Sequence, residues 1–375
     1  MEDKKFEPLG NYIEQIRGVS YKPSDVYDVK NEESKAILRA NNIQNNHANF
    51  DDLVFIDKNK ISQDQYLKKG DILVCASSGS KNLVGKACLI KEDLDMAFGA
   101  FCKVIRTKKL EPRFLGHYFN SDVYRTTISN QAIGANINNI RKEHIDNLLI
   151  PMYTKDKQLE IVEKLDKISD MIENQEKQIK KYDDLVKSQF IEMFGDVYSL
   201  QNNATHSIGD YVSDKTLKAS KLDNTTDIKY IDISSINNQS NEITSYTEYN
   251  INERPSRAQQ VVNKGDILIS TVRPNLNNVA MVTDSFNNMV ASTGFCVIKK
   301  NEKVNEYFIF TLVKNIEFAN YLTKLTTGAN YPAVNNKAIL DFKIDLPPIE
   351  LQNQFADFVK HIDKLKLNDM LMEVA

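Results

Sequence analysis

The clearest pattern in the chain is a run of apolar positions that are spaced alternately by four and three residues. The run extends from Thr154 to Phe194 without a glycine or a proline, and Gly195 follows at the position that favours a helix end. A repeat of 3.5 residues predicts a long helix with one apolar seam that packs against another helix. The seam residues are Ile161, Leu165, Ile168, Ile172, Ile179, Tyr182 and Val186.

A shorter run with the same spacing lies near the end of the chain, and its seam residues are Phe355, Phe358, Ile362 and Leu365. The simplest arrangement pairs the two helices as an antiparallel coiled coil. The alternative is that each amphipathic helix lies on its own domain. A helix of about 40 residues is roughly 60 Å long, which exceeds the span of a small domain and favours a spacer role.

The remainder of the chain is an internal repeat. Lys69-Gly70-Asp71-Ile72-Leu73 recurs as Lys264-Gly265-Asp266-Ile267-Leu268, Phe101-Cys102 as Phe295-Cys296, and Gly134-Ala135-Asn136 as Gly328-Ala329-Asn330. Because the matches keep their order at a nearly constant offset, the chain contains two copies of one module. We predict a first domain over 1–151, a spacer helix over 152–196, a second domain over 197–347, and a shorter helix over 348–375.

Each module mixes short strands with helices. Apolar runs such as Asp71–Cys75 and Phe101–Ile105 predict strands. Amphipathic stretches over Phe114–Tyr124 and Tyr307–Leu322 predict helices. The predicted fold class is therefore α+β, with two pseudo-repeated α/β domains that are separated by long helices forming an antiparallel coiled coil.

Composition narrows the possible classes of protein. The 375 residues are 41% hydrophobic with a net charge of −3, which is typical of a globular chain and unlike a strongly basic nucleic-acid binder. The four cysteines and five histidines show no metal-ligand or disulfide spacing. No apolar run is long enough to cross a membrane, and the charged start lacks a signal-peptide pattern, so we expect a cytoplasmic protein without a membrane partner.

Recognisable catalytic motifs are absent from the sequence. The stretch from Gly79 to Ala87 resembles a phosphate-binding loop, but it has one residue too many between its glycines, and Ala87 replaces the hydroxyl that would hold magnesium. Neither a nucleophile elbow nor a metalloprotease motif occurs. We therefore predict no catalytic residue and no metal site.

Loops rich in hydroxyl and amide side chains follow equivalent strands of the two modules. The first contains Ser77, Ser78, Lys81 and Asn82, and the second contains Thr271, Arg273 and Asn275. These residue types contact phosphates and the edges of bases. An ordinary surface loop is the alternative interpretation.

With its repeat, its long helices and several short sequence motifs, the chain resembles the specificity (S) subunit of type I restriction-modification systems over essentially its whole length. The motifs are Lys68-Lys69-Gly70-Asp71-Ile72-Leu73-Val74 with its twin, the two Gly-Ala-Asn turns, Phe190-Ile191-Glu192-Met193-Phe194-Gly195-Asp196, and Leu346-Pro347-Pro348-Ile349-Glu350-Leu351-Gln352.

The resemblance implies that each domain recognises one half of a bipartite, asymmetric target in double-stranded DNA, while the helices set the spacing. It also implies that two methyltransferase (M) subunits and restriction/translocase (R) subunits bind this chain. S-adenosylmethionine, ATP and magnesium are then expected on those partners, with no cofactor on this non-catalytic chain. A two-domain coiled-coil adaptor that binds only proteins is the alternative.

The resemblance also places candidate DNA contacts on this sequence, although Arg39 aligns with Asp232, which cannot pair with a phosphate. In the first module they are Arg39, Asn41, Asn42, Ser77, Ser78, Lys81, Asn82, Asn136, Asn138 and Arg141. In the second module they are Ser234, Ser235, Thr271, Arg273, Asn275, Asn330 and Tyr331.

Overall fold

A computed structural model describes residues 5–80, 83–131, 138–201, 204–222, 227–299, 301–327 and 332–372. The chain divides into two compact units, Met1–Glu173 and Asn174–Ala375. The division falls inside the long helix predicted from the apolar seam, so that each unit contains one part of that helix.

Unit 1 mixes short strands with four helices among its described residues. The helices are α1 (Pro112–Asn120), α2 (Asp122–Gln131), α3 (Lys142–Asp146) and the start of α4 (Lys155–Phe194). The strands are β1 (Phe6–Pro8), β2 (Ile13–Arg17), β3 (Val26–Tyr27), β4 (Ser34–Leu38), β5 (Ile43–Gln44), β6 (His47–Ala48), β7 (Val54–Asp57), β8 (Ile72–Cys75), β9 (Ser77–Ser78), β10 (Ala87–Leu89), β11 (Ala97–Phe98), β12 (Cys102–Thr107), β13 (Asn138–Asn139) and β14 (Leu149–Pro151).

Unit 2 contains the end of α4 and a second set of the same kinds of element. Its further described helices are α5 (Val197–Gln201), α6 (Glu306–Val313), α7 (Ile316–Lys324), α8 (Asn336–Leu340) and α9 (Ile349–Met372). Its strands are β15 (Leu217–Lys218), β16 (Asp227–Ile231), β17 (Ile236–Asn237), β18 (Glu242–Ile243), β19 (Thr247–Asn250), β20 (Ala258–Val262), β21 (Ile267–Ser270), β22 (Val279–Met281), β23 (Met289–Ser292) and β24 (Phe295–Ile298).

The two units share the central strand arrangement of their sheets, although the strand numbers differ, which supports the repeat predicted from the sequence. The central strand of one sheet, β8 in unit 1 and β21 in unit 2, lies between β10 and β12 or between β22 and β24. A second sheet in each unit contains a parallel pair, β4 with β11 and β16 with β23. A mixed α/β architecture in two units with one long helix is therefore confirmed.

The repeated Gly-Asp phrase is a structural turn. Gly70 and Gly265 have positive φ angles of 91° and 85°, which glycine adopts without steric cost. The Asp71 carboxylate, 1% exposed, accepts from the Lys68 backbone N–H at 2.9 Å and pairs with Arg106 at 2.7 Å. In unit 2 the equivalent Asp266 pairs with Lys299 at 2.9 Å.

The 4-3 spacing correctly predicts the long helix. Helix α4 spans 40 residues and is followed by Gly195 at φ 81°. In unit 2 its last turns pack against α9 through Tyr182, Val186 and Phe190, opposite Phe355, Phe358, Ile362 and Leu365. The two segments are antiparallel, because Tyr182 Oη donates to Asp369 at 2.7 Å while the rings of Phe190 and Phe355 lie 5.5 Å apart.

The first half of the predicted seam on α4 is more exposed than the second half. Val162 is fully buried against the core of unit 1, whereas the seam residues Leu165, Ile168 and Ile172 are 36%, 52% and 52% exposed. The pairing of these three seam residues with another helix therefore stays a prediction. Periodicity identifies an apolar face, but it does not show how much of that face a partner helix reaches.

Two of the predicted helices are each broken into a pair. The Phe114–Tyr124 stretch is divided between α1 and α2 at Ser121, whose hydroxyl donates to the Tyr118 carbonyl at 2.7 Å. The Tyr307–Leu322 stretch is divided between α6 and α7, where the Asn315 side chain accepts from the Glu317 backbone N–H. In both cases a residue type that favours helix caps lies at the break between the two helices, although the apolar pattern of the sequence continues across it.

Candidate nucleic-acid interface

In unit 1 the backbone joins two of the segments that contain predicted DNA contacts to the loop before β12. Strand β9 (Ser77–Ser78) pairs with β13 (Asn138–Asn139). The Ser77 N–H also donates to the carbonyl of Phe101 at 3.1 Å, and the neighbouring Ala76 N–H donates to the same oxygen at 2.8 Å. The Ser77 loop, the Asn138 segment and the loop before β12 therefore form one local surface.

The Arg39 loop reaches the same loop before β12, because the Gly99 N–H donates to the Leu38 carbonyl at 2.9 Å. The guanidinium of Arg39 is already paired with the Asp52 carboxylate at 2.9 Å, and the Asn41 amide donates to that carboxylate at 3.0 Å. A phosphate would compete with Asp52 for Arg39. The loop as it stands is locally close to neutral.

Asn42 and Ser235, which we predicted as DNA contacts, are instead structural caps. Asn42 is 1% exposed, and its side-chain oxygen accepts from the Arg39 backbone N–H at 2.9 Å. Ser235 is 6% exposed and accepts from the Asp232 backbone N–H at 3.2 Å. Both predictions are wrong, because each side chain is buried. Each one closes the 3₁₀ turn that occupies the equivalent place in its own module.

In unit 2 equivalent segments meet in an equivalent way. The Thr271 N–H donates to the Gly294 carbonyl at 2.9 Å, and the Arg273 N–H donates to the Pro332 carbonyl at 2.7 Å. The Thr271 hydroxyl also donates to Gly294 at 2.9 Å, and the residue is only 8% exposed. The prediction that Thr271 contacts DNA is therefore corrected, because its hydroxyl serves this buried bond.

Arg273 is the predicted contact with the most distinctive backbone. It is exposed and has the left-handed conformation with φ 49°, which costs a non-glycine residue on the order of 1–2 kcal/mol. The turn after it is braced by the β17–β18 hairpin, since Asn238 donates to the Leu276 carbonyl at 3.0 Å and Asn241 donates to the Asn277 carbonyl at 3.1 Å. A strained and braced loop is typical of a functional position.

The other predicted residues fall into three groups. Ser234, Asn275 and Arg141 are exposed, and the Arg141 guanidinium lies 3.8 Å from the carboxylate of Glu143. Ser77, Ser78 and Asn138 are half-buried. The remaining five lie outside the described residues: Lys81, Asn82, Asn136, Asn330 and Tyr331.

Phe101 also lies on this surface but is not among the predicted contacts, because the sequence match aligns it with Phe295. Its carbonyl accepts from Ala76 as that of Gly294 accepts from Thr271, so Phe101 is structurally equivalent to Gly294. Phe101 is 66% exposed, whereas Phe295 is 1% exposed. An exposed aromatic side chain can make apolar contact with a thymine methyl group. The buried residues of β12 are Cys102, Val104 and Ile105, so the apolar run that begins at Cys102 is the signal that separates Phe101 from the strand core.

The described residues show neither a cluster of metal ligands nor an exposed cysteine thiol. No group of three or more metal-ligating side chains occurs among them. All four cysteines are buried, and burial raises the pKa of the Cys88 and Cys296 thiols to about 12. Within the described part of the chain, no helix is both long and apolar enough to span a bilayer.

Comparison with known proteins matches the chain twice to one family, "Type I restriction modification DNA specificity domain", over residues 5–181 and 204–371. The type I restriction enzyme StySPI specificity subunit of Salmonella potsdam is 35% identical over 181 residues, which are 48% of this chain and 39% of that protein. The EcoKI specificity subunit of Escherichia coli K12 has the same identity and the same coverage. The chain thus spans about two fifths of the length of these relatives.

A solved structure supports the fold across nearly the whole chain. The crystal structure of the S subunit of a type I restriction-modification system from M. genitalium covers 99% of this chain and 93% of that one, with a TM-score of 0.50 and 15% sequence identity. At that identity the likeness concerns the fold alone.

Proposed function

Because this chain belongs to the type I restriction-modification DNA specificity family, we propose that it is the sequence-reading subunit of such a complex, acting on cytoplasmic DNA without catalysing a reaction itself. Each unit reads one half of a bipartite target. The observation that carries this proposal is the duplicated surface, in which the same backbone segments converge in both units.

Asymmetry of the target follows from the side chains at equivalent places. By the backbone pairing, Arg273 in unit 2 takes the position of Ser78 in unit 1, and Ser234 takes that of Asn41. A guanidinium pairs with guanine in the major groove, whereas a serine hydroxyl contacts several bases. Two surfaces with the same backbone and different side chains therefore recognise different half-sites.

We propose that α4 and α9 form an antiparallel coiled coil that sets the spacing between the half-sites. The support lies in unit 2, where Lys366 pairs with Asp183 at 2.7 Å and Tyr182 donates to Asp369 at 2.7 Å. The second bond gives Asp369, a polar residue at a seam position, a partner across the helix pair. Half-sites about one helical turn apart, around 34–36 Å, face the same side of DNA.

We further propose that two methyltransferase (M) subunits dock on the helical part of this chain and that restriction/translocase (R) subunits join them. The exposed apolar stripe of α4, which we define as Leu165, Ile168, Met171 and Ile172, is 36–52% exposed and supports such a docking surface. S-adenosylmethionine, ATP and magnesium then bind to the partners rather than to this chain.

A gel-shift selection tests the proposal. The chain is mixed with its methyltransferase subunits and a pool of random duplexes, and the retained DNA is sequenced. We expect a split, asymmetric motif. Arg273→Ala should relax one half only, by about 1–3 kcal/mol. Lys264→Ala is the matched control, because it removes the same charge from the opposite end of strand β21. Retention of no specific duplex would favour the protein-only adaptor.

A further inference from the structure

A buried glutamine occupies the fourth position of each long helix. Gln158 in α4 is 4% exposed, and Gln352 in α9 is fully buried. The two stand at equivalent places in the repeat. A buried amide is unfavourable unless its donor and acceptor are both satisfied, so the recurrence of this residue type calls for a physical reason.

In unit 1 the amide of Gln158 connects the long helix to the first helix of the domain. Its Oε1 accepts from the backbone N–H of Glu111, the residue that precedes α1, at 2.9 Å. Its Nε2 donates to the carbonyl of Tyr153, which lies just before α4, at 2.9 Å. One side chain thus joins the starts of two helices.

The same connection is made in unit 2 with different neighbours. The Oε1 of Gln352 accepts from the backbone N–H of Asn305, which precedes α6, at 3.0 Å. Its Nε2 donates to the carbonyls of Pro347 at 2.7 Å and Lys303 at 3.3 Å. Glu111 and Asn305 have different side chains, so what the repeat preserves is the backbone bond and the glutamine that accepts it.

Apolar contacts also hold each long helix on its domain, through Val162 in unit 1 and Phe355 in unit 2. Apolar packing is not directional, whereas a hydrogen bond weakens steeply when its angle changes. The glutamine amide therefore adds a directional constraint on the angle between the helix and the domain.

We propose that Gln158 and Gln352 are positioning residues that fix the direction in which each long helix leaves its own domain and thereby restrict the spacer length that the complex accepts. The spacer part of this inference rests on the proposed function. Leverage makes the effect large. On α4, which has 40 residues and is roughly 60 Å long, a change of about 10° moves the far end by about 10 Å, or about three base-pair steps. On α9, which has 24 residues and is about 36 Å long, the same change moves the far end by about 6 Å.

The test compares Gln352→Met with Gln354→Met, an exposed position on the same helix. Both variants lose an amide of the same size, but only the first loses the bonds to the domain. One readout is the distribution of distances between spin labels in unit 2, placed at Ser240→Cys and Lys364→Cys. These sites are exposed, and all four native cysteines are buried.

We expect Gln352→Met to broaden this distance distribution, while Gln354→Met leaves it unchanged. A distribution as narrow as that of the control would overturn the proposal. Gln158→Met is the second variant, should Gln352→Met fail to fold, and its readout is spacer preference.

Spacer preference is measured as the ratio of affinities for duplexes whose spacers differ by one base pair. We expect each glutamine variant to lower this ratio by about tenfold, the factor that corresponds to a coupling the size of one buried hydrogen bond. A broadened distance distribution with an unchanged ratio would overturn the link to spacing. If the unaltered chain with its methyltransferase retains no specific duplex, the proposed function fails, while the distance measurement still decides the role of the glutamines.

Discussion

The packing of α4 on α9 in unit 2 depends on a cluster of four phenylalanine rings, and Phe190→Ala tests it. Phe190 is 2% exposed and lies 5.4 Å from Phe308, 5.5 Å from Phe355 and 5.2 Å from Phe194, measured between ring centroids. Truncation of a buried phenylalanine to alanine costs about 3–5 kcal/mol, because transfer and cavity terms add. The loss falls on the contact between α4, α6 and α9.

Hydrogen exchange followed by mass spectrometry resolves this effect in peptides from α9. A loss of about 3 kcal/mol corresponds to amide exchange that is faster by more than about a hundredfold. Ile191→Ala is the control, since Ile191 is the next residue on the helix and is 42% exposed. We expect little change for the control. Equal protection of α9 in the two variants would refute the packing described for unit 2.

Three further predictions concern unit 1 and the thiols. Asp71→Asn should lower the free energy of unfolding by about 3 kcal/mol in urea, because it leaves the guanidinium of Arg106 without its buried partner; an unchanged midpoint would contradict this. At pH 8 we expect no rapid reaction of the native chain with a thiol reagent and four thiols after unfolding, since burial keeps groups such as Cys88 and Cys296 protonated. Fast labelling of native protein would argue against a closed core. Phe101→Ala should weaken binding to the specific duplex by about fivefold or more through a lost apolar base contact; full affinity would remove Phe101 from the interface.

How far the sequence predicts the structure depends on the kind of pattern. The seam of α4 repeats over many turns, so it predicts a helix that the structure confirms from Lys155 to Phe194. Short segments carry less information. Ser121 and Asn315 each interrupt an apolar stretch, and nothing in the periodicity marks them as caps rather than surface residues.

Side-chain function at the interface is harder to predict, because one residue type serves two purposes. Asn42 and Ser235 have the hydrogen-bonding groups that read bases, and those same groups cap turns. Only burial separates the two roles. The alignment of Phe101 with Phe295 fails for a different reason. It rests on the shared dipeptide Phe-Cys, whereas the strand pairing makes Cys102, one position further on, the equivalent of Phe295.

Gln158 and Gln352 illustrate a third limit. The phrase that contains Gln352 was recognised from the sequence as typical of the family, but its role is visible only when the bonds to Asn305 and Pro347 are known. A glutamine near the start of an amphipathic helix is ordinarily solvent-exposed.

Methylation-sensitive sequencing of the genome, with this gene present and deleted, is the direct test of whether the chain directs methylation to a split target. If the chain is the proposed sequence-reading subunit, methylated bases should occur in a motif of two different specified parts separated by a gap of fixed length and unspecified sequence, and this methylation should disappear on deletion. Identical methylation in the two strains, or a motif without a gap, would contradict the account.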